Sequence, residues 1–241
     1  MNIKLFTIPN ILTLGNLMSG SIAIIFALQY HNYEVAFWLV VLAAVFDFLD
    51  GFAARLLKQT SPLGIQLDSL ADDVTFGLAP AVVMFDMYNH STSYFALDGV
   101  VMSYLGYITL IIAAFSVLRL AKFNIDTTQT SEFSGLPTPA NALLLMSLAW
   151  LVEQGCITLS QEHILVLSVA MSLLLISPIR MFALKFKGFG WKANQLRYLF
   201  MLAAVAIIIS MPAYSVPTII VLYIAVSTLR WLLCNKSCNA K

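Results

Sequence analysis

34-EVAFWLVVLAAVFDFLDGFAAR-55 is apolar without a break from Val35 to Phe46, then sets Asp47 and Asp50 ahead of Gly51, Ala54 and Arg55. About 20 mostly apolar residues suffice for a helix to cross the hydrocarbon core of a bilayer. An ionised aspartate at the centre of such a helix costs about 2.5–3.5 kcal/mol on insertion scales. The stretch therefore predicts a membrane helix that carries its acids at its aqueous end, where they serve chemistry rather than packing.

The rest of the chain agrees with that setting. Of its 241 residues 60% are apolar and only 10% charged, and the mean hydropathy is +0.87. Soluble domains hold about 45–50% apolar and about 25% charged residues, so lipid must solvate this chain. The expectation is an all-α polytopic membrane protein forming one domain over 1–241. Its eight spans fall near 11–30, 34–55, 68–88, 99–121, 138–153, 163–179, 197–212 and 214–234. The last two are divided only by Met211, Pro212 and Ala213. No internal repeat and no low-complexity tract is present. A secretory leader over 1–30 is disfavoured, because Asn16 interrupts the run and no small-residue cleavage site follows it.

Charge placement orients the bundle. If both termini are cytoplasmic, the inner segments are 1–10, 56–67, 122–137, 180–196 and 235–241 with the flanking helix ends. All 13 Lys and Arg, from Lys4 to Lys241, then lie on that side. The outer loops carry His31, Glu34, His90, Asp98, Glu153 and Glu162 and no Lys or Arg. This is the asymmetry of the positive-inside rule. The localisation it implies is the cytoplasmic membrane, with the acids facing the cytoplasm. Nucleic-acid binding needs a soluble basic surface, and none exists here. The stretch from Arg180 to Arg197, where Phe182, Phe186, Phe189 and Trp191 mix with cations, reads instead as a headgroup-level anchor. Cys156, Cys234 and Cys238 form no disulfide framework and read as ordinary thiols.

Helix geometry groups the acids. At about 100° per residue, Asp47 and Asp50 are roughly 60° apart on their helix, and Asp68 and Asp72 roughly 40° apart on theirs. A turn through Thr60, Ser61, Pro62 and Gly64 can return the chain antiparallel and face the two pairs toward each other. Four converging carboxylates suit hard divalent cations such as Mg²⁺ or Mn²⁺, and a pair of such ions can polarise a phosphoryl group. Asp73 points about 100° away from Asp72, outside this group. Gly51 and Ala54 leave room for a phosphate-bearing ligand, and Arg55 offers it a fork of donors. Two other readings stay open on the residues alone. In one, Arg55 and Lys58 pair with the acids in a structural network. In the other, the acids relay protons or cations in a transporter, which favours acids at mid-membrane and two related halves.

The spacing Asp47-x2-Asp50-Gly51-x2-Ala54-Arg55-x8-Gly64-x3-Asp68-x3-Asp72 resembles the signature of the CDP-alcohol phosphotransferase family at every fixed position. The resemblance implies that Asp47, Asp50, Asp68 and Asp72 hold two divalent ions and that Gly51, Ala54 and Arg55 border the CMP moiety. It also implies that Asp72 acts as the base while an alcohol attacks a CDP-activated lipid. Three further stretches resemble the branch that joins CDP-diacylglycerol to L-serine: Ile8 to Thr13, Leu118 to Asn124 and Phe133 to Pro139. Lys122 stands where that pattern more often has Arg. Other acceptors, of the glycerol 3-phosphate or inositol type, are the alternatives within the family, and a homodimer is the implied assembly. In this frame Asn10 and Thr13 either bind the CDP moiety or cap the first helix. Arg119 and Lys122 either receive a serine carboxylate or lipid phosphate, or anchor lipid headgroups. Gly135 to Pro139 reads as a rigid start to the fifth span.

Overall fold

The computed structural model describes residues 5–94, 99–126, 132–182 and 190–239. Lys4, Asp98, Lys185, Lys187, Lys241, Phe186 and Phe189 lie outside the described residues, as do the side chains of Trp191, Lys192, Cys234, Lys236 and Cys238.

The first three helices start where their sequence supplies a cap. Helix α1 (Ile8–Tyr30) begins at Thr7, whose hydroxyl accepts from the Asn10 backbone N–H, with Pro9 in the first turn. Asn32 caps α2 (Tyr33–Leu56) through the Val35 N–H at 2.8 Å. Ser61 caps α3 (Pro62–Asp72) through the Gly64 N–H at 3.0 Å. Such side chains satisfy donors that the first helical turn leaves unpaired. The short connection 57–61 returns the chain, and α1 packs along α2 and against α3.

The third rod does not stay α-helical. A π-helical segment, Asp73–Leu78, joins α3 to α4 (Ala79–His90), and the Ala79 N–H bonds to Val74 O, five residues back. Pro80 explains its position: a proline ring clashes with the carbonyl four residues before it in an α-helix, and a wider turn relieves that clash. Helix α4 is the centre of the molecule, with Ala79, Ala81, Val83, Met84, Met87 and Tyr88 all buried.

Around it stand α5 (Gly99–Leu105), which runs through a 3₁₀ turn, Gly106–Leu110, into α6 (Ile111–Ile125). Helices α7 (Thr138–Glu153), α8 (Gln161–Ile176), α9 (Trp191–Ser210) and α10 (Ser215–Asn239) complete the bundle. Four helices are long and apolar enough to cross a membrane: Ile8–Tyr30, Tyr33–Leu56, Val101–Ile125 and Ser215–Leu233. Helices α7 and α8, at 16 residues each, reach only about 24 Å at 1.5 Å per residue. Large apolar side chains such as Met18, Trp38, Phe48, Val166 and Ile209 cover the outside. That surface suits lipid rather than water.

One departure from the expected all-helical chain is a two-stranded antiparallel ribbon. Strand β1 (Glu132–Ser134) pairs with β2 (Arg180–Phe182), Phe133 standing opposite Met181. Gly135, at φ 77°, ends the ribbon by donating to Ile179 O at 2.9 Å. The ribbon joins two segments that the charge pattern assigned to the same side, and strands of three residues are too short to show an alternating pattern.

Candidate active site

The two acid pairs meet. One carboxylate oxygen each from Asp47, Asp50 and Asp68 lies within 4.8 Å of the others. Asp47 lies within hydrogen-bonding reach of both Asp68 and Asp72. Asp50 is 5% exposed and Asp72 is 8% exposed. Neither the length of α2 nor the turn at 57–61 alone achieves this; Ser61 and Pro62 restart the helix at once, so Asp68 and Asp72 fall opposite Asp47 and Asp50.

Helix α1 forms the third wall. Thr13 Oγ1 donates to Asp50 Oδ2 at 2.5 Å, and Asn16 Nδ2 donates to Asp72 Oδ1 at 3.0 Å. The Thr75 hydroxyl of the π-helical segment donates to the Asn16 backbone carbonyl at 3.2 Å. Gly20 permits this closeness, since a Cβ there would stand 2.8 Å from Thr75 Cα. Thus α1 orients one carboxylate from each acid pair through short polar side chains.

Beside the acids opens a cavity of about 200 Å³, lined in part by Asn10, Thr13, Gly51, Ala54, Arg55 and Asp68. Asn10 is buried; its backbone N–H takes the Thr7 cap and its side-chain amide donates to Leu5 O at 2.8 Å. The cap of α1 is therefore Thr7 rather than Asn10 or Thr13, which both lie inside the helix and line the cavity. A Cβ on Gly51 would meet only Arg55 Nη1, at 3.6 Å. The guanidinium accordingly folds over bare backbone at the cavity wall.

Other predicted residues divide. Arg119 and Lys122 do not act as a pair. Arg119 is buried, donates to Thr138 Oγ1 at 3.4 Å and leaves Nε without a partner. Lys122 is exposed and donates to Ser134 Oγ on the ribbon at 3.3 Å. Asp73 turns away from the other acids toward Ser116 of α6, near Gly77. Asn16 was not singled out among the candidates, although Asn10, Thr13 and Asn16, each three residues on, form the polar stripe that would have pointed to it.

The acids fit a divalent metal. Asp68 Oδ1 is buried without a hydrogen-bond partner. Among the described residues neither Arg55 nor Lys58 forms a salt bridge to the cluster, so neither neutralises it. An oxygen-only donor set with uncompensated negative charge suits a hard cation.

Comparison with known proteins adds a separate line. Residues 6–175 match the family model described as CDP-alcohol phosphatidyltransferase. A CDP-diacylglycerol–serine O-phosphatidyltransferase of Helicobacter pylori is 32% identical over 232 residues, covering 95% of this chain and 92% of its own length. Proteins with the same name from Methanocaldococcus jannaschii and Bacillus subtilis are each 34% identical, over 177 and 143 residues. The first alignment covers 73% of this chain and 74% of the relative, the second 59% and 75%.

Proposed function

The chain belongs to the CDP-alcohol phosphatidyltransferase family, and from that premise we propose that it transfers the phosphatidyl group of CDP-diacylglycerol to L-serine. The products are phosphatidylserine and CMP. The observation that carries the reading is the meeting of four aspartates beside a cavity bounded by Gly51, Ala54 and Arg55.

In the reaction the serine hydroxyl oxygen bonds to the phosphorus that carries diacylglycerol, and the bond from that phosphorus to the CMP oxygen breaks. CMP leaves with the electron pair, and the serine hydroxyl proton passes to Asp72. Asn16 donates to Asp72 Oδ1 and so orients the carboxylate that takes the proton. Asp47, Asp50, Asp68 and Asp72 would hold two divalent ions, Mg²⁺ or Mn²⁺, which when bound supply positive charge to the diphosphate. Arg55 donates to phosphate oxygens at the cavity wall, with Asn10 and Thr13 nearby for the rest of the CDP moiety. Thr13 does double service, since it already orients Asp50. A buried guanidinium with an unpartnered Nε needs an acceptor; in this reading Arg119 takes the serine carboxylate. Lys122, which reaches the ribbon from the exposed end of α6, meets lipid phosphate.

The chain crosses the cytoplasmic membrane eight times with both termini inside, so the acids face the compartment that holds free serine. The one-sided placement of Lys and Arg supports this topology. Family likeness supports a homodimer, which light scattering of the detergent-solubilised protein would test.

Purified protein should be offered CDP-diacylglycerol with L-serine, glycerol 3-phosphate or inositol, and its lipid products separated. Phosphatidylserine with equimolar CMP is the expected outcome. A preference for either other acceptor would overturn the serine assignment, and no CMP with any acceptor would overturn the transfer itself.

A further inference from the structure

We propose that the end of the bundle opposite the acid cavity carries a second site, for a divalent transition metal of the zinc or copper class, held by His31 and His90 with Asp86 as their supporting carboxylate. One ring nitrogen from each histidine and one carboxylate oxygen of Asp86 lie within 4.8 Å of one another. His31 ends α1 and His90 ends α4. Thr13 and His31 are 18 positions apart on α1, about 27 Å at 1.5 Å per residue, so this cluster is separate from the catalytic acids.

The arrangement around Asp86 is built rather than incidental. Its carboxylate is 5% exposed, among the most buried acids in the chain. Asp86 Oδ2 accepts from the Tyr33 hydroxyl at 2.9 Å and faces His31 Nδ1 at 2.8 Å. Asp86 Oδ1 stands 3.6 Å from His90 Nδ1, beyond hydrogen-bond length. A buried acid usually finds a Lys or Arg. The outer segments contain neither, so imidazole is the sole basic chemistry available there.

The tautomers follow from the partners. His90 Nδ1 lies 2.8 Å from the backbone carbonyl of Asp86, which can only accept, so that nitrogen carries the hydrogen and Nε2 carries the lone pair. His31 in turn directs Nδ1 at a carboxylate. A ring whose Nδ1–H is held by a carbonyl or carboxylate while Nε2 stays open is how proteins orient metal-binding histidines. The two rings lie 4.3 Å apart between centroids, and their side chains are 49% and 55% exposed. Neither Nε2 has a protein partner among the described residues, and both are accessible to an ion from solution.

Two imidazoles held from behind by a carboxylate suit Zn²⁺ or Cu²⁺, whereas the all-oxygen acid cluster suits Mg²⁺ or Mn²⁺. The two sites are thus chemically distinct. A metal here would tie the end of α1 to the end of α4, with Tyr33 of α2 orienting the shared acid.

Because the chain has only three histidines, nitrogen ligation can be read directly. Protein purified without a histidine tag and freed of metal should be given one equivalent of Cu²⁺ in excess Mg²⁺ and examined by electron paramagnetic resonance. Nitrogen hyperfine structure from two imidazoles is expected, kept in His163→Gln and lost in His31→Gln/His90→Gln. Titration with Zn²⁺ in the same buffer should show at least about tenfold weaker binding in Asp86→Asn, the scale on which supporting carboxylates act. An oxygen-only copper spectrum in the unmodified protein would overturn the site. So would zinc affinity unchanged in both the double variant and Asp86→Asn.

Discussion

Asn16 Nδ2 donates a 3.0 Å hydrogen bond to Asp72 Oδ1, so an uncharged amide in the first helix fixes the orientation of an acid 56 positions away. Asn16 is itself held, because Thr75, three residues beyond Asp72, donates to its backbone carbonyl.

Replacing Asn16 by Ala removes that orientation and leaves Asp72 in place. The expected result is a fall in kcat of about 10–100-fold, the range for residues that support a ligand or base, with KM for CDP-diacylglycerol little changed. Steady-state assays in mixed micelles read both constants. An equal loss in kcat and rise in lipid KM would place Asn16 in substrate binding instead.

Asp72 and Asp73 are neighbours with opposite surroundings, one facing Asp47 and the other Ser116. Asp72→Asn cannot accept the serine proton and should lower turnover about 10²–10⁴-fold, the usual contribution of a general base. Asp73→Asn should keep most of its turnover. CMP release from both variants, compared at equal protein with matching elution from a sizing column, checks the contrast.

Much of this site was legible because helical spacing and chemistry coincide: Asp47, Asp50, Asp68 and Asp72 recur at intervals of three and four, which a helix converts into faces. The all-helical, membrane-suited character followed from apolar length, whereas the cap of α1 falls at Thr7, one turn ahead of Asn10. Other features left weaker traces. The π-helical segment is a local widening ahead of Pro80, and an apolar pattern reads the same through a π turn as through an α turn. The divergence of Arg119 from Lys122 depends on α7 arriving with Thr138 beside one and the ribbon beside the other. His31 and Asp86 are 55 positions apart, and no local period connects them.

Gly20 tests how closely α1 must approach the π-helical segment. A Cβ there would stand 2.8 Å from both Cα and Cβ of Thr75, and backbone cannot rotate away as a side-chain tip can. Gly20→Ala should therefore destabilise by about 1–3 kcal/mol, the cost of overpacking, and lower the detergent melting temperature. Gly15→Ala, whose nearest neighbour would be the Phe46 ring at 3.4 Å, should melt near the unmodified protein.

Removing metal tests the acid cluster as a whole. Excess chelator should stop CMP release, and Mg²⁺ or Mn²⁺ added beyond the chelator should restore it. Asp47, Asp50 and Asp68 otherwise hold three carboxylate oxygens within 4.8 Å with no paired base among the described residues, an arrangement that Coulomb repulsion opposes. Undiminished release in chelator would remove the metal from the reaction.

Arg119 tests whether recognition of serine is separate from recognition of lipid. Its guanidinium is buried, one nitrogen donates to Thr138, and Nε has no partner. A lysine at that position keeps the charge but loses the planar fork that grips a carboxylate with two parallel bonds. A hydrogen bond to a charged group contributes about 1.5–3 kcal/mol, so Arg119→Lys should raise KM for serine by roughly 10–100-fold. KM for CDP-diacylglycerol should stay close to that of the unmodified enzyme, because the proposed mechanism assigns the diphosphate to Arg55 and the acids. Varying each substrate at saturating levels of the other measures the two separately. Should the lipid KM rise and the serine KM stay put, the guanidinium binds phosphate, and the acceptor carboxylate must be held elsewhere.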